Sequence, residues 1–152
     1  MGLQDEPDLR ELFFKPEIQP ELAAILWAFP KMDGHSLKYY FFENNRPQKG
    51  QFEVLQYKIE EPIVSQASEI SADRIQVLLV PGLAFDKKMH RLGRGKGFYD
   101  RYLQAYEGVK VGVFFSEQLD PNELTTEEHD IRLDWIVTQN YIYNDKQKRR
   151  IA

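Results

Sequence analysis

The residue types between Arg91 and Asp100 are those of an anion-binding loop. Three glycines alternate there with two cations, in the order Gly93, Arg94, Gly95, Lys96 and Gly97. Glycines let backbone N–H groups approach an anion, and Arg and Lys side chains add charge-assisted hydrogen bonds. An apolar run at 77–80 precedes the stretch, and a short amphipathic pattern follows it. Because a strand, a glycine-rich loop and a helix in this order are typical of phosphate sites, we predict a phosphate-binding loop.

The alternative for such a loop is a surface turn with solvated charge. The distribution of charge argues against it. Six of the 20 Lys and Arg residues lie within residues 87–101, whereas the whole chain has a net charge of −4. A concentrated positive loop on an acidic protein favours a local anion site, and it argues against nucleic acid as a partner. The spacing matches neither the dinucleotide-binding nor the P-loop signature.

The length and composition are those of a globular protein with one domain, which we expect to span 1–152. The sequence contains no cysteine, so that disulfides and thiol chemistry are excluded, and a reducing cytoplasmic location is expected. No apolar run approaches the roughly 20 residues of a membrane span, and the first residues lack the features of a signal peptide. We therefore expect no membrane partner.

Hydrophobic patterning predicts an α/β layered fold, with a largely parallel sheet flanked by helices in a Rossmann-like arrangement. Helices are predicted at 8–14 and 98–106, and strands at the end of the apolar run 22–29 and at 37–43, 75–80, 109–115 and 135–138. We expect Pro30 to end the first of these strands. Residues 121–130 read as an acidic loop and 140–152 as a frayed basic tail. Trp135 is assigned to the core and His90 to the surface.

Two adjacent motifs closely resemble those of the 5-formyltetrahydrofolate cyclo-ligases, also called methenyltetrahydrofolate synthetases. They are Pro81-Gly82-Leu83-Ala84-Phe85-Asp86 and the glycine-rich stretch from Arg91 to Asp100. Shorter pieces agree with the resemblance: Leu3-Gln4-Asp5-Glu6, Glu61-Pro62, His129-Asp130 and Leu133-Asp134. The resemblance extends from near Met1 to about Thr138 and implies the fold of that family.

The resemblance also implies an activity. Cyclo-ligases close 5-formyltetrahydrofolate to 5,10-methenyltetrahydrofolate in a reaction that depends on ATP and Mg²⁺ and releases ADP and phosphate. The formyl oxygen attacks the γ-phosphorus, and N10 then attacks the activated carbon. The partners implied are therefore two small molecules, a reduced folate and ATP. Positioning and neutralisation of phosphate charge should dominate such catalysis.

The resemblance assigns roles to individual residues. The nucleotide-binding set is Arg91, Leu92, Gly93, Arg94, Gly95, Lys96, Gly97, Phe98 and Tyr99. Within this set the catalytic residues would be Arg94, Lys96 and Tyr99. The substrate-binding residues would be Leu3, Glu6 and Tyr99, and the metal ligands Asp100 and Asp130.

Other readings of these residues stay open. Asp100 could only favour the dipole of a helix start, and Asp130 could be an ordinary loop carboxylate. Phe98 and Tyr99 could stack on a planar ligand, although core packing suits at least one of them better. Glu6 rests on the resemblance alone, because the residue pattern around it gives no independent sign of a ligand.

Members of the family begin with a basic helix and a first strand, and we expect this chain to start after both. The alternative function is therefore a catalytically impaired nucleotide- or folate-binding module, or a fragment that needs a partner. Loss of a strand would also leave a sheet edge open, from which we expect self-association.

Overall fold

A computed structural model describes residues 6–9, 24–43, 47–48, 50–55 and 59–151. The chain divides into two compact units. The first comprises Met1–Leu3 and Asp8–Arg74, and the second comprises Gln4–Pro7 and Ile75–Ala152. The single domain expected from the length stays a prediction. The helix predicted at 8–14 lies largely outside the described residues, as does Leu3.

The first unit is built from short antiparallel strands. Its three-stranded sheet has the order β1-β2-β5, with β1 at Ala28–Asp33, β2 at Ser36–Phe41 and β5 at Ser68–Ile70. A second pair joins β3 (Phe52–Val54) to β4 (Glu60–Pro62). Short 3₁₀ turns lie at Val64–Gln66 and Ala72–Arg74. The strand predicted at 37–43 is thus confirmed as β2.

An aromatic cluster forms the core of the first unit. The ring centroids of Phe29 and Phe52 lie 5.3 Å apart in an edge-to-face arrangement, and those of Phe42 and Phe52 lie 5.4 Å apart. The prediction that Pro30 ends the first strand was wrong, since Pro30 lies inside β1 opposite Tyr39. Strand β1 is the outer strand of its sheet in the described part of the chain, and an outer strand tolerates the missing N–H of proline.

The second unit contains a five-stranded mixed sheet of order β12-β11-β10-β9-β6. Its strands are β6 (Val77–Val80), β9 (Val109–Val113), β10 (Trp135–Val137), β11 (Tyr141–Tyr143) and β12 (Lys148–Arg150). Strands β6, β9 and β10 run parallel, whereas β11 and β12 are antiparallel to their neighbours. The predicted strands at 75–80, 109–115 and 135–138 are therefore confirmed.

The connection between the parallel strands β6 and β9 carries the glycine-rich loop. It contains the small hairpin β7 (Ala84–Phe85) and β8 (Arg91–Leu92), followed by helix α1 (Phe98–Leu103). Neighbouring parallel strands require such a long connection, because the chain must return to the end of the sheet at which the first strand began. Helix α1 ends three residues before the predicted end at Tyr106.

Two features of the predicted fold are corrected. The sheet is mixed, because the last two strands form an antiparallel hairpin, so the α/β class holds but a largely parallel sheet does not. The described residues contain only one α-helix, so the expected helical layers are not found there. A 3₁₀ turn at Ser116–Gln118 follows β9 where a helix would be expected. No helix in the described ranges has the length and apolar character needed to cross a bilayer.

The C-terminal segment forms a hairpin where a frayed tail was expected at 140–152. Its strands are β11 and β12, and Lys148 Nζ lies 3.7 Å from the ring centroid of Tyr141. Alternating tyrosines suit a half-buried strand, and Thr138 Oγ1 accepts the N–H of Tyr141 at 2.9 Å in the preceding turn. Trp135 was also misplaced in the core, because 38% of it is exposed.

Side chains of the crossover and the sheet share the core of the second unit. Val80, Phe85 and Ile136 are fully buried, and the rings of Phe85 and Phe114 lie 5.0 Å apart. Since Phe85 belongs to the small hairpin, this packing fixes the start of the segment that leads into the glycine-rich loop.

Candidate functional site

The glycine-rich loop joins strand β8 to helix α1. Arg94, Gly95 and Lys96 at its tip are exposed, whereas Gly93 and Gly97 at its two ends are half-buried. The hairpin before it is closed by the N–H of Leu83, which donates to the carbonyl of Leu92 at 2.8 Å. The two ends of the loop are thus packed against the protein, and its tip faces solvent, where it is accessible to a dissolved anion.

Arg91 is buried beneath the loop and paired with Asp100. Only 4% of the Arg91 side chain is exposed, and its Nη2 donates to Asp100 Oδ1 at 2.7 Å. Its Nη1 donates to the carbonyl of Pro81 at 3.5 Å, and its Cζ lies 5.6 Å from the ring centroid of Tyr99. No described residue accepts a hydrogen bond from its buried Nε. Arg91 therefore ties the start of the loop to the helix after it.

The three glycines are required for different reasons. A Cβ on Gly93 would lie 2.8 Å from Arg91 Nη1, so a side chain there would displace the buried guanidinium. Gly95 has a φ of +76° and no atom within 4 Å of its would-be Cβ, so the backbone conformation alone selects glycine. Gly97 meets both conditions, because its φ is +64° and its Cβ would lie 2.8 Å from Arg101 Nη1.

Arg101 braces the far end of the loop from the outside. Its Nη2 donates to the carbonyl of Lys96 at 3.0 Å, and its Cζ lies 5.3 Å from the ring centroid of Phe98. The half-buried rings of Phe98 and Tyr99 thus each face a guanidinium. Such cation–π contacts add to the rigidity of the loop. Sequence reasoning missed this role of Arg101, although its cation was part of the basic cluster.

Two predicted site residues that are far apart in the sequence meet at the loop. Arg94 Nε donates to Glu6 Oε1 at 3.1 Å, with 37% of the arginine and 14% of the glutamate side chain exposed. Both residues belong to the second unit. The pattern around Glu6 gave no sign of this contact, and only the family resemblance placed it in the site.

A turn upstream of the loop is organised around Asp86. This side chain is 1% exposed, and its carboxylate accepts the Nδ1–H of His90 at 2.9 Å. It also accepts three backbone N–H groups, from Lys88 at 2.8 Å and from His90 and Leu124 at 3.0 Å each. His90 is therefore not a surface residue as predicted, because 15% of its side chain is exposed and its ring is paired.

Hydrogen bonding decides the charge of Asp86. Burial is the largest single influence and raises the pKa of this carboxyl, but the bonds from His90, Leu124 and Lys88 together lower the pKa below its ordinary value of 3.8. The carboxylate is therefore ionised at neutral pH and has no proton to donate. The ring nitrogen Nδ1 of His90 must then carry the hydrogen of the bond between them.

The two predicted metal ligands already have partners. Asp100 Oδ1 accepts from Arg91, and Asp130 Oδ2 accepts the N–H of Glu127 at 2.7 Å within its own turn. In the described part of the chain, no three or more His, Asp or Glu side chains form a group that could hold a metal ion. A positive guanidinium beside Asp100 also disfavours a second cation at the same oxygen. These residues do not by themselves fit a protein-built Mg²⁺ site.

A family model matches residues 21–139, and its description is the 5-formyltetrahydrofolate cyclo-ligase family. The chain belongs to this family. The 5-formyltetrahydrofolate cyclo-ligase of Escherichia coli K12 is 35% identical over 117 residues, which cover 75% of this chain and 63% of that protein. The probable 5-formyltetrahydrofolate cyclo-ligase of Schizosaccharomyces pombe is 40% identical over 75 residues, covering 41% of this chain and 37% of that protein.

Solved structures agree with the family assignment. The NMR structure of 5,10-methenyltetrahydrofolate synthetase from Aquifex aeolicus aligns with a TM-score of 0.76 and 30% identity, covering 100% of this chain and 72% of that one. A synthetase from Mycoplasma pneumoniae, at 24% identity and a TM-score of 0.51, shares the fold over 78% of this chain and 56% of its own. The chain spans 37–63% of the length of the curated relatives from yeast, mouse and Escherichia coli.

Proposed function

We propose that this chain converts 5-formyltetrahydrofolate to 5,10-methenyltetrahydrofolate with hydrolysis of ATP to ADP and phosphate. Membership of the cyclo-ligase family supports the substrate class. The observation that carries the proposal to this chain is the ion pair between Arg94 and Glu6. By resemblance, one of these residues belongs to the nucleotide and the other to the folate. Their contact supports a site in which the γ-phosphate and the formyl group would meet at the same end of the loop.

The loop residues then divide the work of the reaction. The backbone amides of Gly93 to Gly97 and the cations Arg94 and Lys96 receive the polyphosphate and neutralise the charge that develops on it. Glu6 orients the folate so that its formyl oxygen faces the γ-phosphorus. Transfer of the phosphoryl group from ATP to that oxygen releases ADP and activates the formyl carbon. N10 then attacks this carbon and loses its proton, and phosphate leaves with the formyl oxygen. Tyr99 stays against Arg91 at the base of the loop.

Mg²⁺ is part of this proposal only through the nucleotide. Mg²⁺ is held in many such sites by substrate phosphates and water with one or two carboxylates. Asp100 and Asp130 are each engaged by the protein, so they do not form a ready pair for the ion.

The first test is the affinity for ATP of the variant Lys96→Ala. Removal of an exposed loop cation should weaken binding by about 1.5–3 kcal/mol, because a charge-assisted hydrogen bond to phosphate is lost. Isothermal calorimetry measures this directly. Lys87→Ala is the matched control, since Lys87 is an exposed cation in the turn before the loop. Equal affinities of the Lys96 variant and the parent chain would contradict the proposal.

The second test is turnover, followed by the ultraviolet absorbance of 5,10-methenyltetrahydrofolate. Glu6→Gln should raise the KM for the folate more than the KM for ATP, because the carboxylate is assigned to the folate. A variant in which only the KM for ATP rises would assign Glu6 to the phosphate loop through Arg94. A chain that binds ATP but forms no product would support the alternative of a binding module.

We also propose that the chain self-associates. In the described residues β6 pairs on one side only, with β9, and Val77 on this strand is 53% exposed. Open strand edges recruit other strands. Light scattering over a range of concentrations tests this, and a strict monomer at the highest concentration would exclude it.

A further inference from the structure

The turn at residues 86–90 is held far more tightly than a surface connection requires. Besides the four hydrogen bonds to the Asp86 carboxylate, the N–H of Asp86 donates to the carbonyl of His90 at 3.1 Å. Met89 at the tip of the turn is 1% exposed and has a φ of +69°, a left-handed conformation that is unusual for a side chain of its size. Backbone strain of this kind persists only where the surroundings enforce it.

Two other segments of the second unit are joined to this turn, one at residues 132–133 and one at Leu124. The carbonyl of Met89 accepts the N–H of Leu133 at 2.9 Å, and the carbonyl of Lys88 accepts Arg132 Nε at 2.7 Å. The N–H of Leu124 donates to Asp86, so the acidic loop is attached to the same carboxylate. Asp86 is thus the centre of a network that fixes where the strand after the turn begins.

That strand leads directly to the buried arginine of the site. His90 immediately precedes Arg91, and both belong to the return from the turn into β8. The guanidinium of Arg91 reaches Asp100 at 2.7 Å and lies where a side chain on Gly93 would be. A shift of His90 would therefore move Arg91 and release the contact that joins the two ends of the loop.

We infer that Asp86 and His90 are positioning residues for the phosphate loop, acting through Arg91 to hold residues 93–97 in the conformation that receives a polyphosphate. The hydrogen bond from His90 Nδ1–H to Asp86 Oδ2 can be removed by a single substitution at His90, which leaves the backbone donors to Asp86 in place. The inference rests on the proposed function for its ligand, although not for its structural step. It does not require His90 or Asp86 to touch the nucleotide.

The experiment compares two variants of His90. His90→Asn keeps an N–H donor at the position of Nδ1, whereas His90→Leu removes the donor with a side chain of similar reach. Asp120→Asn is the control, because Asp120 Oδ1 accepts the N–H of Asn122 in a separate turn and the amide keeps that acceptor. Hydrogen exchange of the amides at 91–99 and the Kd for ATP–Mg²⁺ by calorimetry are measured for all of them.

We expect His90→Leu to speed exchange throughout 91–99 and to weaken ATP binding by about tenfold, the effect of losing one well-placed hydrogen bond to a charged group. His90→Asn and Asp120→Asn should behave as the parent chain. Unchanged exchange at 91–99 in His90→Leu would overturn the inference, even if the melting temperature falls, because the network would then be structural only.

The two proposals fail in different ways. If the parent chain does not bind ATP, the proposed function fails, yet the exchange data still decide whether His90 holds the loop. If ATP binds but His90→Leu has the affinity of the parent, the positioning role fails while the proposed function stands. Asp86→Asn is an independent test, because it should also speed amide exchange at 91–99 although residue 90 is still histidine.

Discussion

Each of the two units of this chain holds a cation beside carboxylates, half-buried in the first unit and buried in the second, and the two cations are paired in contrasting ways. In the first unit, Lys31 Nζ lies 3.1 Å from Glu53 Oε1 and 3.6 Å from Glu61 Oε2, and it also donates to the carbonyl of Pro62 at 3.2 Å. In the second unit and among the described residues, Arg91 pairs with one carboxylate, Asp100, and its Nε donates to none of them.

The difference separates a structural ion cluster from one that belongs to a site. Lys31 donates hydrogen bonds to Glu53 and to the carbonyl of Pro62, and it forms an ion pair with Glu61. Glu61 also accepts the N–H of Met32 at 3.4 Å. The Lys31 ammonium is thus engaged by three oxygens of the protein itself. The pair of Arg91 and Asp100 is incomplete and lies beneath exposed loop cations. Buried ions are costly, so an incomplete pair is more readily explained by function than by stability.

The largest effect should come from breaking the pair in the second unit. Asp100→Ala leaves the 4%-exposed guanidinium of Arg91 without a counter-charge, and we expect a loss of about 3–5 kcal/mol in the free energy of unfolding. ATP binding should be lost as well, because the loop would no longer be joined at its base. Urea denaturation and calorimetry measure the two effects.

Glu123→Ala is the control for this variant, since Glu123 pairs with Lys88 at 2.7 Å but 54% of its side chain is exposed. An exposed pair of this kind contributes roughly 1 kcal/mol at most. If both variants lose the same stability, Asp100 does not support a buried charge.

The cluster in the first unit should respond in stability alone. Lys31→Met removes the cation that pairs with the 4%-exposed Glu61 among the described residues, and we expect a loss of roughly 2–4 kcal/mol in the free energy of unfolding with unchanged ATP affinity. The double variant Lys31→Met with Glu61→Leu should recover most of this loss, because the one carboxylate left unpaired, Glu53, is 43% exposed and stays solvated. A double variant as unstable as the single one would show that the ions stabilise this unit themselves.

A smaller effect should separate the glycines of the loop. Gly95→Ala forces a Cβ into a left-handed conformation at a place with open space, and should cost about 1–2 kcal/mol in stability. Gly93→Ala has an ordinary φ but collides with Arg91, so its main effect should be on ATP affinity. Thermal unfolding with calorimetry would show the contrast, and equal losses of affinity in both variants would remove it.

The stability of the second unit should fall in acid through Asp86. Since the pKa of Asp86 in the folded chain lies below its ordinary value of 3.8, its contribution to stability is present above 3.8 and is lost as the pH falls through the folded value. Asp86→Asn should flatten the dependence of unfolding on pH below about 4. Urea unfolding at a series of pH values measures this, and an unaltered acid limb in the variant would contradict the assignment.

The smallest effect concerns the C-terminal hairpin. Lys148→Ala removes the cation above the Tyr141 ring and should cost about 0.5–1 kcal/mol at this exposed site. Hydrogen exchange at 141–150 should rise while the loop at 93–97 keeps its protection. Faster exchange in both regions would show that the hairpin supports the site.

The sequence determined the family, the glycine-rich loop and the parallel strands, because each leaves a local record. Glycines spaced two apart between cations, and apolar runs of strand length, are readable without any contact between distant residues. The start of helix α1 at Phe98 was equally readable, since it follows the last glycine of the motif. The same local reasoning failed at the C-terminus, where a basic segment that would be frayed alone is stabilised by pairing with β11.

Only the tertiary structure decided how the site residues are divided. Arg91 and Arg94 look alike in the sequence, yet one is buried against Asp100 and the other meets Glu6, 88 positions away. In the sequence, Asp86 was the last residue of a family motif and His90 was assigned to the surface. The structure makes them the centre of a turn to which Leu124 and Leu133 donate hydrogen bonds. Residue type and spacing determine which groups can carry charge. Burial and pairing in the folded chain decide which of those charges are neutralised by other residues and which can interact with a ligand.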